Sequence, residues 1–453
     1  MSILESSLNR RDFLALSAAG GSGGLVMALP GTLRERDHSP SNQIHVALIG
    51  FGSMGQVLFD SMRNIPGLYF QAVCDIWTYS RKSGQGRVRS FQRHTPNAYV
   101  DIDDMLASEK GLDAAIIATP DFWHAEHTTK CLKAGLHVYC ETMMSNTIEG
   151  ARSIVHAAEA SGKLCQIGYH RRSNPRYRFT LEQLIRRHQI CGQITGFNSQ
   201  WNRSVVASSD LHCPPQLAID QEVLNRYGFR DMHQFRNWRH FRDLATGPVC
   251  SLASHQLDVC AWFLGGVPKT LMASGGNDFF KDREVFDSAM AILEYETESG
   301  IVRAFSQVLG TTEGRGGFFE RFMGTSATID ISDLALWTRI VPAGERRGTV
   351  AWDELERRGF LKRIVPAPEM NYETGGAIPC YTSRPSFHYA LPGGLNKPVN
   401  QPHLENFFAA IRGEATLNCD ARTAFLSEAP LYLIESAARN RQIIDFGPAQ
   451  FTP

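Results

Sequence analysis

Six residues, Gly50-Phe51-Gly52-Ser53-Met54-Gly55, follow directly on the apolar run Ile44–Ile49, and they constrain the fold more than any other feature. A strand running into G-x-G-x-x-G turns sharply and delivers the chain into a helix, here read as Ser53–Asn64 with apolar Val57, Leu58 and Met62. The first amides of such a helix carry partial positive charge and suit a pyrophosphate. Leu68–Cys74 reads as the next strand, and Asp75 stands at its end. An acidic side chain there accepts hydrogen bonds from the ribose hydroxyls of an adenosine. The glycine fingerprint alone is weak, since a turn in another α/β unit can share it. With strand, helix and acid in place around it, the segment reads as a dinucleotide-binding unit. Asp75 would repel the 2′-phosphate of NADP and so favours NAD, while Arg81 and Lys82 just behind it keep NADP open.

At 453 residues the chain is long enough for two domains with separate cores. It carries 46 basic and 46 acidic residues with no basic tract, which argues against a nucleic-acid partner. Nothing beyond residue 30 is long and apolar enough to span a bilayer. Near the start, Asn9-Arg10-Arg11-Asp12-Phe13-Leu14 opens a weakly apolar stretch to about Leu29. Twin arginines before a short apolar region are similar to a Tat export signal, the alternative being a retained N-terminus. Export would place the mature protein in the periplasm, with cleavage between Ala28 and Ser41, although no clear A-x-A site is present. The ten cysteines form no C-x-x-C pair and read as small apolar fillers. Cys250, His255 and Cys260 match no zinc spacing, so no metal site is expected.

From Ile44 onward, short apolar strands alternate with helices: Asp113–Ala118, Leu136–Cys140 and Leu164–Tyr169 continue the series, with helical His124–Ala134 and Glu149–Ala160 between them. That is the pattern of a doubly wound parallel sheet. After about residue 195 the strands change character. Gln193–Trp201, Ser288–Tyr295, Ile301–Leu309 and Ala327–Ile331 suit a second, mostly antiparallel sheet, with a hairpin turn at Thr297-Glu-Ser-Gly300. The expected layout is a signal and linker over 1–42, a dinucleotide-binding Rossmann domain over 43–165, and an α+β C-terminal domain over 166–453. That last domain carries a loop-rich insertion at about 342–400. Leu404, Phe407, Phe408 and Ile411 fall at helical spacing and read as core.

Several segments together resemble the Gfo/Idh/MocA oxidoreductases. They are Ala114-Ala-Ile-Ile-Ala-Thr-Pro120, Asp121-Phe-Trp-His124, Lys133-Ala-Gly-Leu-His-Val-Tyr-Cys-Glu141, Gln166-Ile-Gly-Tyr-His-Arg-Arg-Ser173, Ser254-His-Gln-Leu-Asp258 and His403-Leu-Glu-Asn-Phe-Phe-Ala-Ala-Ile-Arg-Gly413. The resemblance covers about residues 43–445. It implies that Thr119, Pro120, His124, Glu141 and Thr142 lie along the cofactor. It also implies that His170 and Arg171 lie in the substrate pocket, and that His255 is the catalytic histidine. Arg172 reads as solvated, and Asp258 as a fold-supporting or orienting residue. Trp238 and Arg239 suit either a sugar face and its hydroxyls or a subunit interface.

The chain departs from the family at two charged positions. The Glu-Lys-Pro motif reads Glu141-Thr142-Met143, and the Asp-x-x-x-His motif reads Ser251-Leu-Ala-Ser-His255. Oxidising an alcohol by hydride transfer requires a base for the hydroxyl proton, and a tuned base contributes about a hundred- to ten-thousandfold. Thr142 cannot be that base, and Ser251 cannot stabilise a protonated His255. Three expectations stand. The first is a nicotinamide-dependent oxidoreductase for a sugar, cyclitol or related polyol, with an altered acid/base set centred on His255 and His170, His124 or His240 as further candidates. The second is an NAD-dependent glycoside hydrolase or lyase without net redox change. The third is a catalytically silent dinucleotide-binding or assembly protein. The resemblance further implies that the second sheet is covered by self-association into a homodimer or homotetramer.

Overall fold

The computed structural model describes residues 43–313, 317–343, 350–365, 387–391 and 395–453. The segment read as a Tat signal and linker lies outside them.

The first sheet is parallel, with strand order β3-β2-β1-β4-β5-β6. Its strands are β1 (Ile44–Ile49), β2 (Leu68–Cys74), β3 (Asn97–Tyr99), β4 (Ala114–Ile117), β5 (His137–Cys140) and β6 (Cys165–Ile167). Helices α1 (Ser53–Met62), α2 (Thr78–Gln92), α3 (Ile102–Ser108), α4 (Asp121–Lys133) and α5 (Ile148–Ser161) connect them. The central strands read as near-continuous apolar runs because helices cover both faces. Ala47 and Ile49 pack into one core layer, Val46 and Leu48 into the other. Local chemistry sets the helix ends. Asp101 accepts the amide of Asp103 at the start of α3, and Thr147 accepts that of Gly150 at the start of α5. Gly162 closes α5 in the left-handed conformation, φ 63°. Edge strand β3 was not anticipated: its three residues are mostly exposed and carry no apolar alternation.

The second sheet is mixed and mostly antiparallel, in the order β14-β15-β13-β12-β11-β7-β10-β9-β8-β16. It comprises β7 (Ile194–Asn202), β8 (Pro268–Gly276), β9 (Ser288–Thr297), β10 (Gly300–Leu309), β11 (Phe318–Gly324), β12 (Ala327–Ile331), β13 (Arg339–Pro342), β14 (Lys362–Ile364), β15 (His388–Ala390) and β16 (Ile444–Asp445). β9 and β10 form the expected hairpin, pairing Thr297 with Gly300. The β7–β10 pair alone is parallel. The stretch read as a loop-rich insertion contains β14, β15 and the helix Trp352–Arg357, whose Trp352 stacks on Tyr389 with ring centroids 5.3 Å apart.

Helix α6 (Gly247–Leu264) packs on this sheet and starts beside the first domain. Helix α7 (Gln401–Ile411) returns to the first domain, where Leu404, Phe407 and Phe408 are fully buried with Phe59, Phe70 and Tyr139. Burying three such side chains contributes about 2 kcal/mol apiece. Helix α8 (Ala421–Glu428) adds Ala424 and Phe425 to the opposite layer. The C-terminal residues therefore complete the N-terminal core on both of its faces.

Candidate active site

The order of the parallel sheet reverses between β1 and β4, and ligands bind at the carboxyl ends of strands at such a switch point. The loop after β1 turns at Gly50, φ 83°, where a Cβ would lie 2.7 Å from the Ala118 carbonyl group of the loop after β4. A side chain at Gly55 would run into the Gly50 carbonyl, so α1 can approach only with glycine there. Gly52, by contrast, has open space where its side chain would be. It is the N-cap of α1 and supplies no side-chain cap, so the first amides of α1 are left for a ligand. Gly50, Gly52, Ser53 and Met54 line a cavity of about 780 Å³. Phe51 instead points into the core, where it meets Phe59 edge-on.

Asp75 also lines the cavity, held by two backbone amides: Phe51 N–H donates to one carboxyl oxygen and Trp77 N–H to the other, both at 2.8 Å. Burial raises its pKa, and these two donors oppose the rise. Each oxygen keeps a lone pair for a ribose hydroxyl. Arg81 donates to the Asp75 carbonyl and to Thr78 Oγ1, so its guanidinium is engaged by its own turn. Lys82 lies in a separate surface recess with Arg63 and Arg87. An open glycine cradle, free helix amides and a fixed acid fit a dinucleotide.

Thr119 and Pro120 follow β4 along the same cavity wall, and His124 lies one turn into α4. The His124 ring bridges two loops, Nδ1 2.6 Å from the Met143 carbonyl oxygen and Nε2 2.7 Å from that of Thr119. Two carbonyl neighbours favour imidazolium, while burial pushes its pKa down to about 4. In either protonation state the ring is a strut between the loops. Glu141 ends β5, accepting from Tyr139 Oη and the Thr142 amide, each at 3.3 Å. Gly168 allows this, since a Cβ there would lie 2.8–3.0 Å from the Glu141 carboxyl group. Burial pushes Glu141 up to about 7, with His170 pulling the other way. Thr142 lines the cavity without a charge, and its peptide bond to Met143 is cis. Beneath this turn Glu428 accepts from the Met144 amide, Tyr169 Oη and Tyr432 Oη, which fixes the floor.

At the other end, His170 follows β6 and His255 sits one turn beyond Ser251 on α6. Their rings are 5.3 Å apart, and the Trp201 ring lies 5.5 Å from His255. Burial, then the charges of His170 and Arg171, holds the His255 pKa well below the usual histidine range. Its Nδ1 is buried and has no hydrogen-bond partner. Ser251 donates to the Pro248 carbonyl and brings no charge. The carboxylate in this region is Asp333, whose Oδ2 lies 3.7 Å from His170 Nε2. Burial would raise the Asp333 pKa, but Arg171 and His170 hold it far below the ordinary carboxylate range.

Arg171 is a correction. It does not line the cavity but lies beneath it, 1% exposed, bound to Asp333 through Nε at 2.9 Å and to Glu320. Arg172 is a second correction: it is buried, and its Nε and Nη2 bind Asp258 at 2.9 and 2.7 Å. Arg171 read as a pocket residue and Arg172 as solvated because the acids that bury them come from distant parts of the chain. Trp238 and Arg239 line the cavity in a 3₁₀ turn. His240 faces Asp210, with Nδ1 3.2 Å from Oδ1. The sequence reading missed Asp333, Trp201 and Arg203, which lie outside any motif spacing, and Asp121, which was at hand as the first residue of the Asp121–His124 segment. Among the described residues no cluster of histidine, cysteine or acid could hold a metal. All nine described cysteines are free, and eight of them are buried.

Two family models match the chain. "Oxidoreductase family, NAD-binding Rossmann fold" covers residues 44–169, and "Oxidoreductase family, C-terminal alpha/beta domain" covers residues 221–446. A Sphingobium 4-carboxy-2-hydroxymuconate-6-semialdehyde dehydrogenase is 27% identical over 75% of this chain and 96% of its own length. A Bacillus subtilis scyllo-inositol 2-dehydrogenase (NADP(+)) is 27% identical over 51% of this chain and 54% of its own length. Among solved structures, levoglucosan dehydrogenase in complex with NADH and L-sorbose superposes with a TM-score of 0.65 at 14% identity. That match covers 91% of this chain and all of that one. The WlbA dehydrogenase from Bordetella pertussis, in complex with NADH and UDP-GlcNAcA, gives a TM-score of 0.62 at 16% identity over 89% of this chain and 99% of that one. With one family matched across both halves, the chain belongs to the Gfo/Idh/MocA oxidoreductases, and its first domain is an NAD-binding Rossmann domain.

Proposed function

We propose that the protein interconverts a carbinol carbon of a sugar, cyclitol or related polyol and the corresponding carbonyl, with NAD as hydride carrier. The observation that carries this reading is the single cavity shared by the glycine turn, Asp75, His170 and His255. When bound, the nicotinamide supplies the hydride acceptor or donor. In the oxidative direction the carbinol hydride leaves with its electron pair, and the hydroxyl proton passes to the His255–His170 pair. Asp333 faces the His170 ring and stays ionised because Arg171 and His170 stabilise its charge. Asp333 thereby supplies the carboxylate that Ser251 lacks. Trp201 and Trp238 offer flat apolar faces for a sugar ring. The scyllo-inositol, levoglucosan and L-sorbose named for relatives and neighbours support a polyol-like substrate.

Two further expectations belong to this reading. Arg10-Arg11 before an apolar stretch supports Tat-type export to the periplasm of an already folded protein. Exposed Met272, Met290 and Ile292 lie side by side on one face of β8 and β9, where Met272 pairs with Ile292, which supports a homo-oligomer closed across that face. Sedimentation of the mature protein checks this and should show no monomer at micromolar concentration.

The decisive test is the nicotinamide content of natively purified protein, identified by mass spectrometry after denaturation, followed by a polyol screen. Stoichiometric NAD(H) with substrate-dependent reduction supports the reading. Turnover without net reduction moves the protein to the hydrolase or lyase class. No nucleotide, and none taken up on addition, defeats both.

A further inference from the structure

Arg203 and Arg239 both line the cavity, and both are exposed within it. Each is set next to a tryptophan wall. Arg203 stands two residues beyond Trp201, just past the end of β7, and Trp201 lies against His255. Arg239 lies over the Trp238 ring, its guanidinium carbon 4.0 Å from the centroid. Neither guanidinium makes a hydrogen bond or ion pair to any described residue. Arg236, a third cavity arginine without a hydrogen bond or ion pair, lies apart over the Trp77 ring, its guanidinium carbon 5.0 Å from the centroid, whereas the arginines around them are paired. Arg171 and Arg172 have carboxylates at bonding distance, Arg283 has Asp210, and Arg81 has backbone and threonine oxygens.

Two unpaired guanidiniums sharing one cavity repel each other and leave up to ten N–H donors without protein acceptors. Asp121 and Glu141 lie near Arg239 but form no ion pair or hydrogen bond with it. The guanidinium fork matches planar or tetrahedral oxyanions bidentately, whereas neutral hydroxyls satisfy it poorly. Arg239 sits on the Glu141 side of the cavity and Arg203 on the His255 side, so an anion held by both keeps the rest of its molecule beside the reacting end.

We propose that Arg203 and Arg239 clamp an oxyanion of the substrate, which makes the substrate a sugar acid or sugar phosphate rather than a neutral polyol. This rests on the oxidoreductase reading above and narrows it. The anion takes no part in the redox step: hydride leaves the carbinol carbon, the proton goes to the histidine pair, and the carboxylate or phosphoryl group stays unchanged.

The test is calorimetric titration of the NADH-loaded protein with glucuronate, glucose 6-phosphate and glucose. At least one of the two anions should bind about a hundredfold more tightly than glucose, and more weakly as salt is added. Which anion wins tells a carboxylate from a phosphoryl clamp. Arg203→Gln and Arg239→Gln should each weaken that anion about ten- to a hundredfold while NADH affinity changes less than about twofold. Arg239→Lys, which keeps the charge and loses the fork, should fall between wild type and Arg239→Gln. Two outcomes overturn the clamp: anions binding no better than glucose, or arginine variants that leave anion affinity untouched. In either case NADH binding and polyol oxidation can persist, and the oxidoreductase reading survives. Conversely, arginine-dependent anion binding by a protein that never takes up NADH defeats that reading and keeps the clamp.

Discussion

The two walls of the cavity are made of different materials. On the Rossmann side the working groups are mostly backbone, joined by the Asp75 carboxylate: the free amides of α1, the open space at Gly52 and the close approach at Gly50. On the opposite side they are side chains, contributed by the end of β7, the Trp238–His240 turn and α6. A wall built from backbone offers any dinucleotide the same amides and tolerates almost no change at its glycines. A wall built from side chains can be altered one residue at a time, and here Ser251, one turn before His255, carries no charge while Asp333 faces His170 from a separate segment.

The largest effect is expected where backbone alone is at stake. Gly50→Ala places a Cβ against the Ala118 carbonyl at a φ of 83°, so it should lower unfolding stability by more than about 2 kcal/mol and abolish nucleotide retention. Denaturant unfolding and released-nucleotide analysis measure both, and survival of both would erase the contrast between the walls. On the other side, His170→Asn should cut kcat by about a hundred- to ten-thousandfold with NADH affinity unchanged. A matching loss of NADH binding would show that His170 serves the cofactor wall instead. Asp75→Asn removes a charge but keeps the geometry. It should weaken NAD about tenfold and narrow the gap to NADP, read from the two dissociation constants.

A smaller and slower-varying effect is expected from Asp121, which lies on the Rossmann side but answers to the charges opposite. Burial raises its pKa to about 7, so between about pH 4 and pH 7 the native state holds a proton that the unfolded chain has lost. The contribution of Asp121 to stability should therefore fall across that window as pH rises. Asp121→Asn lacks the proton, so its stability relative to wild type should improve by about 2 kcal/mol between pH 5 and pH 8. Parallel unfolding curves at the two pH values would show that Arg239 already compensates the carboxylate.

The same division decides what could be read from sequence. The glycine turn, Asp75 and the parallel order of β1, β2, β4, β5 and β6 lie in one continuous stretch, where spacing along the chain and position in space still correspond. The family resemblance added Glu141, His170 and His255 for the same reason. Asp333 could not be found that way, because 163 positions separate it from His170 and it sits in a loop with no spacing signature. Arg171 and Arg172 were misplaced because burial of a guanidinium depends on acids, Glu320, Asp333 and Asp258, that only the folded chain brings near. Short strands such as β14 and β15 were invisible because three residues are too few to show a period.

Helix α7 has a consequence for the order of events during synthesis. A ribosome that has finished residue 165 has made every strand of the parallel sheet except the end of β6, yet not the side chains that close its core. Leu404, Phe407 and Phe408 emerge well over two hundred residues later. Until then an apolar face of the nascent domain stays open to water. The closed core beneath the dinucleotide site is thus a property of the finished chain, set only once translation has reached α7.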